Sequence, residues 1–196
     1  SVRPEIVDPE TTTILLTSNV KFNAESTTKT NDTIKSNVIT TLNNYNTNTL
    51  NQFDGVFRYS KITGLIDNTD TSIVSNITKV KIRKDFTPLI GTSSRYDVYF
   101  RNALYNPHSA HNAAAGGILE STGFKIEGDT DTIFFLDDDG NGNVRRYSLS
   151  GNTRIYANNT QGTIDYSTGA VSIGSLNVSV VENIRGAAST VIELTV

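Results

Sequence analysis

The chain has 196 residues, no cysteine, no methionine and no tryptophan, and its 17 Lys and Arg against 20 Asp and Glu leave a formal net charge of -3. Without cysteine there is no disulfide scaffold, thiolate metal site or cysteine nucleophile, and a near-neutral balance argues against nucleic acid, which needs a basic face. Charged residues make up only 19%, apolar residues 36%, and Asn, Thr and Ser fill the rest. That is not the high-charge signature of a disordered chain, and no apolar run reaches the roughly 18–20 residues of a membrane span.

The chain shows no signal-peptide pattern at its start. The absence of methionine, including an initiating one, reads as a segment of a longer protein. After a stretch flanked by Pro4 and Pro9, the even positions Ile14, Leu16, Val20 and Phe22 are apolar and the odd ones mostly Thr, Asn and Lys. Period two with one apolar face predicts a half-buried strand over 12–22, with Leu15 as the exception. The period then changes. Ile34, Val38, Leu42 and Tyr45 fall on one helical stripe, with Thr30, Asn31 and Asp32 offering N-cap oxygens before it. The Asn43-Asn44-Tyr45-Asn46 end is poor helix material, so the helix is expected to stop near there. A turn at Asp54-Gly55 leads to a short extended piece over 56–59, and Ser60 caps a second helix carrying Ile62, Leu65 and Ile66. Val80, Ile82 and Phe86 then alternate with Lys81, Arg83 and Asp85 as a returning strand.

This order predicts an α+β fold, with two helices on one face of a small sheet, over residues 1–90. Pro88, Gly91 and the Thr-Ser-Ser run mark the boundary. Beyond it the helical period disappears. Tyr96, Val98 and Phe100 alternate as a strand, a loop from Asn106 to Gly117 holds both histidines, and short strand-like runs recur over 123–127, 132–136, 144–149, 162–166, 170–173, 178–181 and 190–196. Residues 91–196 therefore read as a β-rich antiparallel module, with Gly, Asn and Asp in its turns.

The motif that most suggests chemistry is Asp137-Asp138-Asp139-Gly140-Asn141-Gly142-Asn143. Asp137, Asp139, Asn141 and Gly142 match the first half of an EF-hand loop, but the ninth position is Arg145 and the twelfth, where a bidentate Glu belongs, is Ser148. The flanks read as strands, so a hairpin turn is the preferred reading and a weak surface cation site the alternative. His108 and His111 stand three apart, a spacing two metal ligands use, yet they lie in a Pro-, Ser- and Gly-containing loop with no third ligand nearby in sequence. An ordinary polar loop is preferred there. There is no Gly-x-Ser-x-Gly elbow, and Gly140-Asn141-Gly142 lacks the rest of a dinucleotide loop. The residues assemble no catalytic constellation, so the reading is a protein that is not an enzyme, with no catalytic, cofactor-binding or metal site assigned.

Two stretches carry a family resemblance. Val2-Arg3-Pro4 and Val7-Asp8-Pro9, the strand ending Val20-Lys21-Phe22-Asn23, the amphipathic helix, Phe53-Asp54, Tyr59-Ser60-Lys61-Ile62 and Lys79-Val80-Lys81-Ile82 together resemble the C-terminal region of baseplate J-like proteins. Ser121-Thr122-Gly123-Phe124, the turn from Leu136 to Gly142, and Gly162-Thr163-Ile164-Asp165-Tyr166-Ser167-Thr168-Gly169 look like the segment that follows in the wedge-protein family (gene product six) of T-even-like myophages. The resemblance implies a non-catalytic structural subunit of a contractile-tail baseplate, located in the virion. It would form homodimers and contact other wedge proteins in a ring, with no cofactor, small-molecule substrate, nucleic acid or membrane as partner. The competing reading from another class is a β-rich adhesin or carbohydrate-binding module that uses the loops around His108 and Asp137 to Asp139.

Overall fold

A computed structural model describes residues 11–52 and 54–196. In chain order the main elements are β1 (Thr13–Phe22), α1 (Asn31–Tyr45), α2 (Tyr59–Asp67), β2 (Ile73–Phe86), β3 (Ser93–Tyr99), β4 (Glu120–Ser121), β5 (Phe124–Ile126), β6 (Asp129–Asp138), β7 (Asn143–Ser150), β8 (Thr153–Asp165), β9 (Ala170–Val181) and β10 (Ile192–Thr195). Two α-helices and a majority of strands, antiparallel wherever their register is defined, make the fold α+β. The chain forms two compact units, one of residues 16–80 and one of 81–196 together with the described residues up to Leu15.

In the unit of residues 16–80, the predicted helical stripe does the packing. Ile34 and Val38 are buried, and Val38 joins Ile62 and Ile66 of α2 in a cluster against which Leu16, Val20, Leu42, Tyr45 and Ile73 pack. Thr30 is the N-cap of α1, its hydroxyl accepting from the Thr33 N–H at 3.3 Å. The helix ends at Tyr45 and runs on into one wider turn, Asn46–Leu50, closed by Asn51 N–H donating to the Asn46 carbonyl at 2.8 Å. The short strand expected over 56–59 is absent. Residues 56–58 are irregular, and Tyr59 opens α2 with Arg58, not Ser60, as its N-cap. The reason is local: the Arg58 carbonyl accepts from both Lys61 and Ile62 N–H, which commits the chain to a helical turn there.

In the unit of residues 81–196, β6, β5, β9, β8 and β7 each pair with the next, and β7 pairs back to β6. The five strands thus close into a ring, which removes their free edges. β3 adds to β9 by the antiparallel register Val98↔Val171, while β10 links β2 to β4 through Leu194↔Lys84 and Leu194↔Ser121. The core is one cluster that includes Phe100, Leu119, Phe124, Leu136, Val144, Ile173, Val178 and Leu194, all almost fully buried. Burying a side chain of this size contributes roughly 1.5–3 kcal/mol.

The expected runs 170–173 and 178–181 are a single strand, β9, and the run 162–166 is the end of a longer strand, β8. Gly174 stands between the two expected runs. In the fold, a Cβ at Gly174 would lie 2.7 Å from the Gln161 carbonyl oxygen, so the glycine marks a close strand approach inside a continuous strand.

Candidate functional site

The acidic turn and the histidine loop meet. β6 ends in Asp137 and Asp138, β7 begins at Asn143, and the loop from Asn106 to Gly117 lies against the turn between them. The Gly140 carbonyl accepts from Ala110 N–H at 3.1 Å and from the Asn106 amide at 3.2 Å. Asn141 Oδ1 accepts from the Ser109 hydroxyl at 2.5 Å and from Ala110 N–H at 3.0 Å. Gly140 has φ +72°, and a Cβ there would lie 2.5 Å from His111 N, so only glycine lets the loop come this close. Ala110 and Asn112 flank His111 with φ 56° each, and the left-handed conformation at alanine costs roughly 1–2 kcal/mol. The hydrogen bonds to the turn hold that strain in place.

Each of the three aspartates has a different set of partners. Asp137 is fully buried and takes Arg145 Nε on Oδ1 at 2.8 Å, with Arg154 NH1 and the Tyr156 hydroxyl on Oδ2 at 2.6 and 2.9 Å. The two guanidiniums also lie over aromatic rings, Arg145 4.3 Å from the Tyr156 centroid and Arg154 4.7 Å from that of Tyr147. Burial pushes the Tyr156 phenol upward, and its hydrogen bond to Asp137 adds to the rise.

Asp138, also fully buried, has four neutral donors: Ile118 and Leu119 N–H on Oδ1 at 2.6 and 2.7 Å, and Gly140 N–H and the Tyr166 hydroxyl on Oδ2 at 3.0 and 2.6 Å. A Cβ at Gly117, where φ is +67°, would sit 2.2 Å from this carboxylate. Burial, followed by the bond to Asp138, drives the Tyr166 phenol far upward, so it remains a donor. Asp139 closes the turn itself, accepting from Asn141 N–H at 2.8 Å, Asn143 N–H at 3.0 Å and the Asn143 amide at 2.7 Å. Its burial pushes the carboxyl up, yet these three bonds outweigh that and hold it below the ordinary value.

The three carboxylates therefore do not converge on a common point. Arginines and backbone donors hold them, as befits the hairpin reading of Asp137 to Asn143, and Arg145 at the ninth position is itself a counter-ion. Among the described residues, no group of three or more His, Asp or Glu is arranged to hold a metal. His108 and His111 are brought together, their rings 5.0 Å apart and edge-to-face. Nothing in the sequence marks Arg154 as a partner of Asp137, or shows that Gly117 makes room for the Asp138 carboxylate. Arg154 is 17 residues from Asp137, a separation with no local period, and Gly117 reads as ordinary loop composition.

Among the described residues, the polar contacts of the unit 16–80 include hydroxyl and amide hydrogen bonds and the Lys29–Asp70 ion pair. Asp70 is paired with Lys29 and accepts from Ser72 N–H and hydroxyl at 3.0 and 2.6 Å. The Lys29 contact, then Ser72, holds its carboxyl well below the usual range. Thr78 bonds to both Ser18 and Asn76, and the Asn76 amide donates to Asp67 at 2.7 Å. Tyr59 donates to the Thr78 carbonyl at 3.0 Å.

These polar groups are satisfied largely by one another. Residues 12–85 match the family model for baseplate structural protein gp6, C-terminal domain III. The chain is accordingly a structural component of the phage tail baseplate, and its place is in the virion. No curated protein matches the chain.

Proposed function

We propose that this chain is a non-catalytic building block of a contractile-tail baseplate wedge, and that it forms homodimers and contacts other wedge subunits within the baseplate ring. The observation that carries the reading is the family match over residues 12–85, in a segment whose outer surface is apolar at several points. Val74 and Ile77 of β2 are 64% and 69% exposed, and Ile39, Val56 and Tyr59 are also exposed. Large apolar side chains left in water are candidates for burial by another subunit. We further read residues 16–80 as a small sheet layer with both helices on one face, the arrangement that the Leu16, Val20, Val38, Ile62 and Ile66 cluster supports. The domain reading of 1–90 and 91–196 is kept as part of this proposal.

Sedimentation equilibrium over a broad concentration range tests the assembly claim. The expected result is a concentration-dependent dimer or larger species, and a monomer at every concentration refutes self-association of this chain.

A further inference from the structure

His108 and His111 do more than share a loop. His108 Nε2 and His111 Nδ1 point at each other across 3.3 Å. The other nitrogen of His108, Nδ1, lies 2.9 Å from the Ser109 carbonyl oxygen. A carbonyl only accepts, so Nδ1 carries the proton and Nε2 keeps its lone pair, directed at His111. An imidazole whose second nitrogen is anchored to a carbonyl in this way is oriented as metal-ligating histidines are.

The separation between the two nitrogens is informative. Zinc binds imidazole nitrogen at about 2.0–2.1 Å, which places two ligands on one edge of a tetrahedron about 3.3–3.4 Å apart. The observed 3.3 Å is that edge. The loop is also built to hold it: His111 lies between Ala110 and Asn112, both at φ 56°, and Ala110 is fastened to the turn by Gly140 and Asn141. The Tyr105 ring meets the His111 ring edge-on at 5.4 Å and walls one side. His108 is exposed and His111 only partly so, which leaves an open path from solvent.

We propose that His108 Nε2 and His111 Nδ1 form a two-histidine site for a single divalent zinc ion, with water in the remaining two positions. Without metal, the His111 Nδ1 proton bridges the two nitrogens. With zinc bound, that proton shifts from His111 Nδ1 to its Nε2, so each imidazole stays neutral with one protonated nitrogen and no net proton is released. The ion cross-links the loop to itself across the strained segment between the two rings.

Titrating the intact chain with zinc chloride by isothermal calorimetry tests the site, together with histidine side-chain nitrogen NMR. The expected result is one zinc per chain, with binding at least tenfold weaker in both His108→Ala and His111→Ala. In the unsubstituted chain the His108 Nε2 and His111 Nδ1 resonances shift while His108 Nδ1 stays protonated. The NMR arm needs no variant, so a substitution that unfolds the loop does not decide the outcome. Zinc binding unchanged in the double variant, resonances that do not move, or no heat above dilution would each overturn the proposal.

Discussion

Asp137 and Arg145 stand directly opposite each other on β6 and β7, and Arg145 Nε–H donates to Asp137 Oδ1 at 2.8 Å. Arg154 reaches the other carboxylate oxygen from β8, so one buried anion joins three strands of the closed ring. Removing the carboxylate leaves two mostly covered guanidiniums without a counter-charge. Asp137→Ala is expected to cost about 3–5 kcal/mol. Urea unfolding of the variant measures it, and a loss below about 1 kcal/mol, typical of exposed pairs, contradicts this account.

Gly140→Ala places a methyl group against His111 N and demands a left-handed alanine. A loss on the order of 2 kcal/mol is expected. Ala110→Gly works the other way, because it removes strain at φ 56° and touches no hydrogen bond. Its stability should lie within about 1 kcal/mol of the parent, on the stabilising side. Thermal unfolding of both variants, read side by side, shows whether the loop is held as described.

Ile66 is fully buried and Ile77 is 69% exposed. Ile66→Ala should destabilise the chain by about 2–5 kcal/mol through lost burial and a residual cavity. Ile77→Asp should leave stability within roughly 0.5 kcal/mol of the parent. If β2 contributes to a subunit interface, the second change weakens self-association and the first does not act on it selectively. Sedimentation of both variants separates folding from assembly.

Asp165 sets a pH dependence. The Ser167 hydroxyl, then Thr168 and the Ser167 N–H, hold its carboxyl at about 2, below its ordinary value of 3.8. A lowered carboxyl stabilises the fold at every pH above the unfolded value, and that contribution is lost as pH falls from near 3.8 through about 2. Carbonyl-carbon NMR should show Asp165 titrating at the lower end of that window, and Ser167→Ala should move it upward.

The sequence carried the parts of the fold whose signal is periodic. Ile34, Val38, Leu42 and Tyr45 announced α1 because a helix repeats its buried face every three to four residues. Ile14, Leu16, Val20 and Phe22 announced β1 by alternation. The calcium-like motif lacks its second half, and its residues form the turn of the β6–β7 hairpin. What stayed hidden depends on non-local contact. The 56–59 segment has strand-like residues, but 56–58 are irregular and the Arg58 carbonyl starts a helix at Tyr59. β9 contains a glycine between the two expected runs, and its close approach to β8 is not visible in the sequence. Asp138 gave no hint that its carboxylate would receive N–H groups from residues twenty positions away.

That last arrangement has a kinetic consequence. The four donors to Asp138 come from Ile118, Leu119, Gly140 and Tyr166, and only Gly140 is a near neighbour in the chain. The anchor has no local precursor and completes itself only when the ring of strands has closed. It should therefore be absent from the folding transition state. Replacing Asp138 would then speed unfolding and leave the folding rate almost unchanged, making this carboxylate a determinant of how long the domain persists once assembled.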